Sequence, residues 1–209
     1  ATVYRKPDVG RTCPTKAPAT TDEFSKTRLG LQWQWNHNPD NAQWSLSERK
    51  GYMRLKALPA KDLTNARNTL TQRVQGPLST GTVEMDVTGL KDGNVAGFGV
   101  FQNPYAYVAV RQEKGIRQLA VCHNGKTETV IGRLNQDKVW IRARVTDKDF
   151  TARLYYSLDG TDFHPAGEVL RMGLGYPWTA NRFALFNFSE TEEGAGGVAD
   201  FNWFRFYNK

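Results

Sequence analysis

At 209 residues the chain has the size of one domain with its own core. With 39% apolar residues, a mean hydropathy of −0.59 and no apolar run near the roughly 18 residues of a membrane helix, it is expected to be soluble, with no membrane partner. The net charge of +7 raises nucleic acid as a partner, but Arg5, Lys6, Arg11, Lys16, Lys26 and Arg28 against Asp8, Asp22 and Glu23 place +3 of it before residue 29, and the remaining charges alternate in sign, so no nucleic-acid partner is expected.

Residues 1–21, with Pro7, Pro14, Pro18 and Gly10 and no apolar periodicity, read as an extended linker from an upstream domain. From residue 22 to 209 short runs rich in Val, Tyr, Phe, Trp and Thr alternate with turn residues, the pattern of an all-β sandwich. Strands are predicted over 29–36, 44–46, 52–57, 69–74, 82–88, 96–102, 105–112, 117–123, 127–131, 139–145, 151–157, 182–187 and 199–207. Asn124-Gly125 and Asp159-Gly160 supply the positive φ that tight hairpins demand. A single helical turn near Lys61 to Arg67, capped by Asp62, is the one helical signal.

Alternation over 29–36 sets Leu31, Trp33 and Trp35 on a core face and Gln32, Gln34 and Asn36 on an amide-rich one. Amides donate and accept, which suits sugar hydroxyls; the plain alternative is that both tryptophans are simply core. The run from Asn68 to Arg73 alternates likewise, Leu70 and Gln72 against Thr69, Thr71 and Arg73. Glu84 and Asp86 share a strand face, as the carboxylates of a sandwich glycosidase would, but Thr88 stands where a third would complete that pattern, and a solvated sheet face is the expectation. Gly97 and Gly99 lie in a strand with no helix after them, which fits close backbone approach rather than phosphate binding. The three histidines are scattered and no transition-metal ligand set exists. Cys13 and Cys122 allow at most one disulfide, and Cys122 reads as a buried thiol. A closing strand carrying Asp200 is expected to pair with the opening Asp22-Glu23-Phe24, and the two aspartates brought together could hold a structural Ca²⁺, or else make capping hydrogen bonds.

The stretches TDEF, LGLQWQWNHNP, WSL, GYMRL, ARNTLTQR, YYSLDGTDF and ADFNWF together resemble the C-terminal module of glycoside hydrolase family 43 enzymes, which are β-xylosidases and α-L-arabinofuranosidases; the module is classed as carbohydrate-binding module family 91. The resemblance implies a concanavalin A-like, jelly-roll antiparallel β-sandwich, and catalytic carboxylates that belong to a separate propeller domain, so that this chain is not itself an enzyme. It implies as partners that family 43 catalytic domain and plant cell-wall xylan or arabinoxylan, and a secreted, periplasmic or cell-surface location. In related enzymes a loop of the module lends a ring to the active site; the matching region here is Arg182 to Gly197, with Phe183, Phe186 and Phe188 as candidates. The expected sugar contacts are the polar side chains Gln32, Gln34, His37, Gln72, Arg73 and Gln102 and the rings Trp35, Phe98, Tyr105, Trp178 and Phe186. The alternative is a purely structural sandwich without a sugar site.

Overall fold

The computed structural model describes residues 3, 7–11, 14, 16–173 and 179–208. Trp178 and Cys13 therefore lie outside the described residues. Fifteen strands follow one another among those described: β1 (Gln34–Trp35), β2 (Trp44–Ser45), β3 (Met53–Lys56), β4 (Leu58–Pro59), β5 (Leu70–Arg73), β6 (Leu78–Asp86), β7 (Asn94–Phe101), β8 (Ala106–Glu113), β9 (Ile116–His123), β10 (Thr127–Arg133), β11 (Lys138–Thr146), β12 (Thr151–Ser157), β13 (His164–Arg171), β14 (Arg182–Ser189) and β15 (Val198–Tyr207). They form two sheets. One runs β1-β5-β14-β7-β8-β9-β10, with β4 added beside β14; the other runs β13-β12-β11-β6-β15-β3-β2. Every pairing is antiparallel except β4 with β14.

The two sheets close on one core because their strands alternate. In β11 the residues Val139, Ile141, Ala143 and Val145 are buried while their neighbours are partly exposed. Phe98, Phe183, Phe204 and Phe206 meet between the sheets with ring centres about 6 Å apart. Strands β7 and β14 are different, being buried along both faces. Their outward rings belong to a second cluster, in which Phe101, Tyr105, Tyr107, Phe186 and Phe188 are covered by Leu63 and Ala66. The covering segment, residues 60–67, is tied down by Ala60 N–H to the Ser189 carbonyl (2.8 Å) and by the His37 ring to the Thr64 carbonyl (2.8 Å).

Gly97 and Gly99 serve close packing as expected, for a Cβ on Gly99 would come within 2.6 Å of Tyr107 Cα, and one on Gly97 within 2.8 Å of Ala109 Cα. Three elements differ from expectation. The 29–36 strand shrinks to Gln34–Trp35, because residues 31–32 form a turn that leaves Leu31 wholly exposed rather than in the core. Strand β13 was not expected, since Pro165 and Gly167 interrupt its pattern; both are tolerated on an edge strand, where Gly167 takes φ +67°. The 61–67 segment forms turns, with Asp62 Oδ1 accepting from Asn65 N–H at 3.0 Å, rather than a helix.

Candidate functional site

On the outer face of the seven-stranded sheet, Glu84 and Asp86 project together, as their spacing requires, but both are buried and neutralised instead of solvated. Glu84 Oε1 accepts from Lys138 Nζ at 2.8 Å and from Asn202 Nδ2 at 3.2 Å. Asp86 accepts from the Thr88 hydroxyl and N–H through Oδ1 and from Arg49 Nη1 through Oδ2 at 2.8 Å. Burial acts to raise the Asp86 pKa, yet those hydrogen bonds and the Arg49 charge outweigh it and hold the carboxyl below its ordinary range. A glycosidase acid must carry a proton near neutrality, the reverse of this environment.

The closing strand does pair with the opening segment, since Asp22 and Phe204 exchange two backbone hydrogen bonds of 2.8 Å. The register places Asp22 opposite Phe204 and not opposite Asp200, four residues away and so about 13 Å along the strand. Asp22 Oδ1 accepts from Phe24 N–H and Oδ2 from Trp33 Nε1, each at 2.9 Å, whereas Asp200 accepts from Arg49 and Arg54 at 2.8–2.9 Å. Two carboxylates filled by separate protein donors do not form the shared oxygen site expected for a hard cation. Capping hydrogen bonds are what Asp22 makes.

The open polar surface lies on the outer face of the eight-stranded sheet, at its β1 end. Gln34 stands opposite Thr71 on β5, Arg73 opposite Arg182 on β14, and Arg182 opposite Phe101 on β7, so all five share the outward direction. Asn36 joins them, held by its N–H to the Thr69 carbonyl (2.9 Å) and receiving Arg182 Nη2 on its Oδ1 at 2.9 Å. The Arg182 guanidinium lies 5.2 Å from the Phe101 ring centre. Gln34 and Arg73 are exposed, and Asn36 and Arg182 half-buried. Beside them a cleft of about 180 Å³ is lined by Pro18, Leu31, Gln32, Gln72, Arg73 and Gln75.

Of the residues expected to meet sugar, Gln32, Gln34, Gln72 and Arg73 thus come together, with exposed His37 two residues beyond Trp35. Gln72 faces inward, its Nε2 donating to the Thr20 carbonyl at 2.9 Å. The expected rings do not join them. Phe98 is wholly buried between the sheets, Phe186 wholly buried beneath residues 60–67, and Tyr105 nearly so, stacked on Tyr107. Trp35 packs toward the core against Trp44, with ring centres 5.2 Å apart. Gln102 is buried too, its Nε2 donating to the Thr179 carbonyl at 2.6 Å. Cys122 is a buried thiol, and burial pushes its pKa up, the environment of an inert cysteine.

The model of the β-xylosidase C-terminal concanavalin A-like domain matches residues 21–207. The chain belongs to this domain family. A β-xylosidase of Formosa agariphila is 34% identical over 97% of this chain, which spans 37% of that relative. A solved bifunctional GH43–CE protein of Bacteroides eggerthii superposes with a TM-score of 0.84 at 41% identity, over 90% of this chain and 26% of that one. A GH43 glycoside hydrolase engineered to display both endo-xylanase and exo-arabinofuranosidase activity superposes with a TM-score of 0.82 at 28% identity, over 95% of this chain and 42% of that one. The chain therefore spans about a third of the length of the curated relatives it matches. Within this family fold, the three candidate rings of the Arg182–Gly197 region sit in strand β14, where Phe183, Phe186 and Phe188 are all buried and none projects from a loop.

Arg182, Asn36, Thr71 and Phe101 were missed as members of the patch. Arg182 heads the apolar run RFALFNFS and gains its neighbours only through pairing with strands distant in sequence. The alternation already placed Asn36 and Thr71 on polar faces, which was the available signal.

Proposed function

We propose that the chain is the non-catalytic accessory domain of a family 43 β-xylosidase or α-L-arabinofuranosidase, and that it touches xylan or arabinoxylan weakly, beside the entrance of the catalytic domain. The observation that carries this reading is the uncovered group of Gln34, Asn36, Arg73 and Arg182, which offers amide and guanidinium donors on a rigid sheet face while the neighbouring rings are covered. Such groups can donate to sugar hydroxyls, and the amides can accept from them as well. With no open ring in the patch, affinity rests on a few hydrogen bonds of ~1 kcal/mol each, which after ordering costs gives a Kd on the order of 1 mM or weaker.

Affinity electrophoresis through arabinoxylan, arabinan and cellulose tests it. Retardation on arabinoxylan, lost in Gln34→Ala/Asn36→Ala, is the expected result, and equal mobility in all three gels removes the binding claim. The second reading, a purely structural sandwich that steadies a catalytic domain, is favoured by the burial of Phe186 and Tyr105; it expects no retardation.

A further inference from the structure

Arg182 is a half-buried cation with no acid. Its Nη2 is satisfied by Asn36 and its Nη1 lies 3.5 Å from the Thr71 hydroxyl, while Nε is buried without a hydrogen-bond partner. The residue directly across the ladder is a second arginine, Arg73. Among the described residues neither forms an ion pair, and all 21 aspartates and glutamates of the chain are among those residues. Like charges opposite each other on a sheet are destabilising, and burial together with the Arg73 charge lowers the Arg182 pKa. Of the other partly buried arginines, Arg49, Arg54 and Arg111 are each matched by carboxylates; Arg142 also has no acid among the described residues, but its Nε donates to the Thr82 hydroxyl at 3.0 Å and its guanidinium lies over the Phe163 ring, with no second arginine opposite it.

We propose that Arg73 and Arg182 form a binding site for the carboxylate of a uronic acid carried on the xylan chain. Arginine suits a carboxylate because its planar fork can present two N–H groups at once. Here the fork is held in place by Asn36 and Thr71 and rests against Phe101, so little conformational freedom is lost on binding. A carboxylate from another protein domain would satisfy the same charges, but the surroundings favour a sugar. Gln34 and Asn36 flank the pair, and the cleft that Arg73 helps to line also carries Gln32 and Gln75, groups that pair with hydroxyls. This inference rests on the xylan-contact reading above and narrows it to acidic xylan.

The test compares three probes on the 209-residue chain at low salt, by calorimetric or NMR titration: a xylo-oligosaccharide bearing one methylglucuronic acid, the same oligosaccharide with its carboxyl reduced to the alcohol, and the unsubstituted oligosaccharide. The acidic probe is expected to bind about tenfold more tightly than its reduced form, the gain of one charge-assisted contact, and to lose that advantage at high salt. Arg182→Gln should reduce the acidic probe to the level of the reduced one. Arg73→Gln, at an exposed position, should do so in part. Equal binding of the acidic and reduced probes overturns the inference while leaving the xylan contact standing; absence of binding by all three overturns both. Equal binding accompanied by loss of affinity between Arg182→Gln and the family 43 catalytic domain also overturns it, and assigns the pair to an interdomain carboxylate.

Discussion

Asp86 and Asp200 lie opposite each other on β6 and β15 and share one guanidinium, Arg49 Nη1 standing 2.8 Å from the first and 2.9 Å from the second. Their side chains are only 10% and 6% exposed, so without a cation between them they would be two adjacent, poorly hydrated anions. Arg54 reaches Asp200 but not Asp86, and pairs also with Glu48 at 3.5 Å. Asp86, which with Glu84 has the spacing of a catalytic pair in the sequence, is thus part of the sheet's own electrostatics, as Glu84 is through Lys138.

Arg49→Met is accordingly expected to cost about 2 kcal/mol at neutral pH, below the value for a fully buried pair because Arg49 is partly exposed. The sign with pH follows from the depressed Asp86 pKa. Its contribution is complete above the unfolded value near about 3.9 and is lost as pH falls through the lower folded value. Thermal melts should therefore show a gap between wild type and variant that is widest at pH 7 and narrows toward pH 3. A gap independent of pH would refute the shared-cation account.

Phe186 separates packing from sugar contact. Phe186→Ala should destabilise the fold by about 3–5 kcal/mol through the cavity it leaves beneath Leu63 and Ala66. The milder Phe186→Leu should lower the melting temperature and leave migration in arabinoxylan gels unchanged. Lost retardation in a folded Phe186→Leu protein would return this ring to the binding surface.

Gly97→Ala is expected to be among the most damaging single changes, at more than about 3 kcal/mol, because the new methyl meets Ala109 Cα, a backbone atom of the adjacent strand. Urea titration measures it. A loss under about 1 kcal/mol, the ordinary scale for a point substitution, would show that β7 and β8 can part without cost.

Trp33→Phe keeps a ring beside Phe24 and Phe204 but removes the hydrogen bond to Asp22 Oδ2, for an expected loss of about 1–2 kcal/mol. Millimolar Ca²⁺ or a chelator should leave the wild-type melting temperature where it is, because the Asp22 oxygens already have donors. A rise with Ca²⁺ that disappears in Asp22→Asn would contradict this.

The sandwich was legible in the sequence because alternation and turn chemistry are local. Asn124 and Gly125 take positive φ at their hairpin, as does Gly160, and the faces of Thr71, Arg73, Gln34 and Asn36 come out as their spacing implies. What was not legible depends on partners distant in the chain. Leu31 has the pattern of a core residue, yet the chain turns before it can pair. Phe186 looks like a ring available to a ligand until residues 60–67 are laid over it. Asp22 and Asp200 converge in the sequence reading because the closing strand does return to the opening segment, but a register of four residues separates them. The meeting of Arg182 with Arg73 and Asn36 needs three strands from different parts of the chain.

The most direct test of the account is a crystal structure of the chain soaked with xylo-oligosaccharides, one plain and one bearing a uronic acid. Sugar is expected on the outer face of the eight-stranded sheet within hydrogen-bond distance of Gln34 and Asn36, with any carboxylate on Arg73 and Arg182. Sugar bound elsewhere on the sandwich, or none at tens of millimolar oligosaccharide, well above the ~1 mM scale expected for Kd, would contradict it.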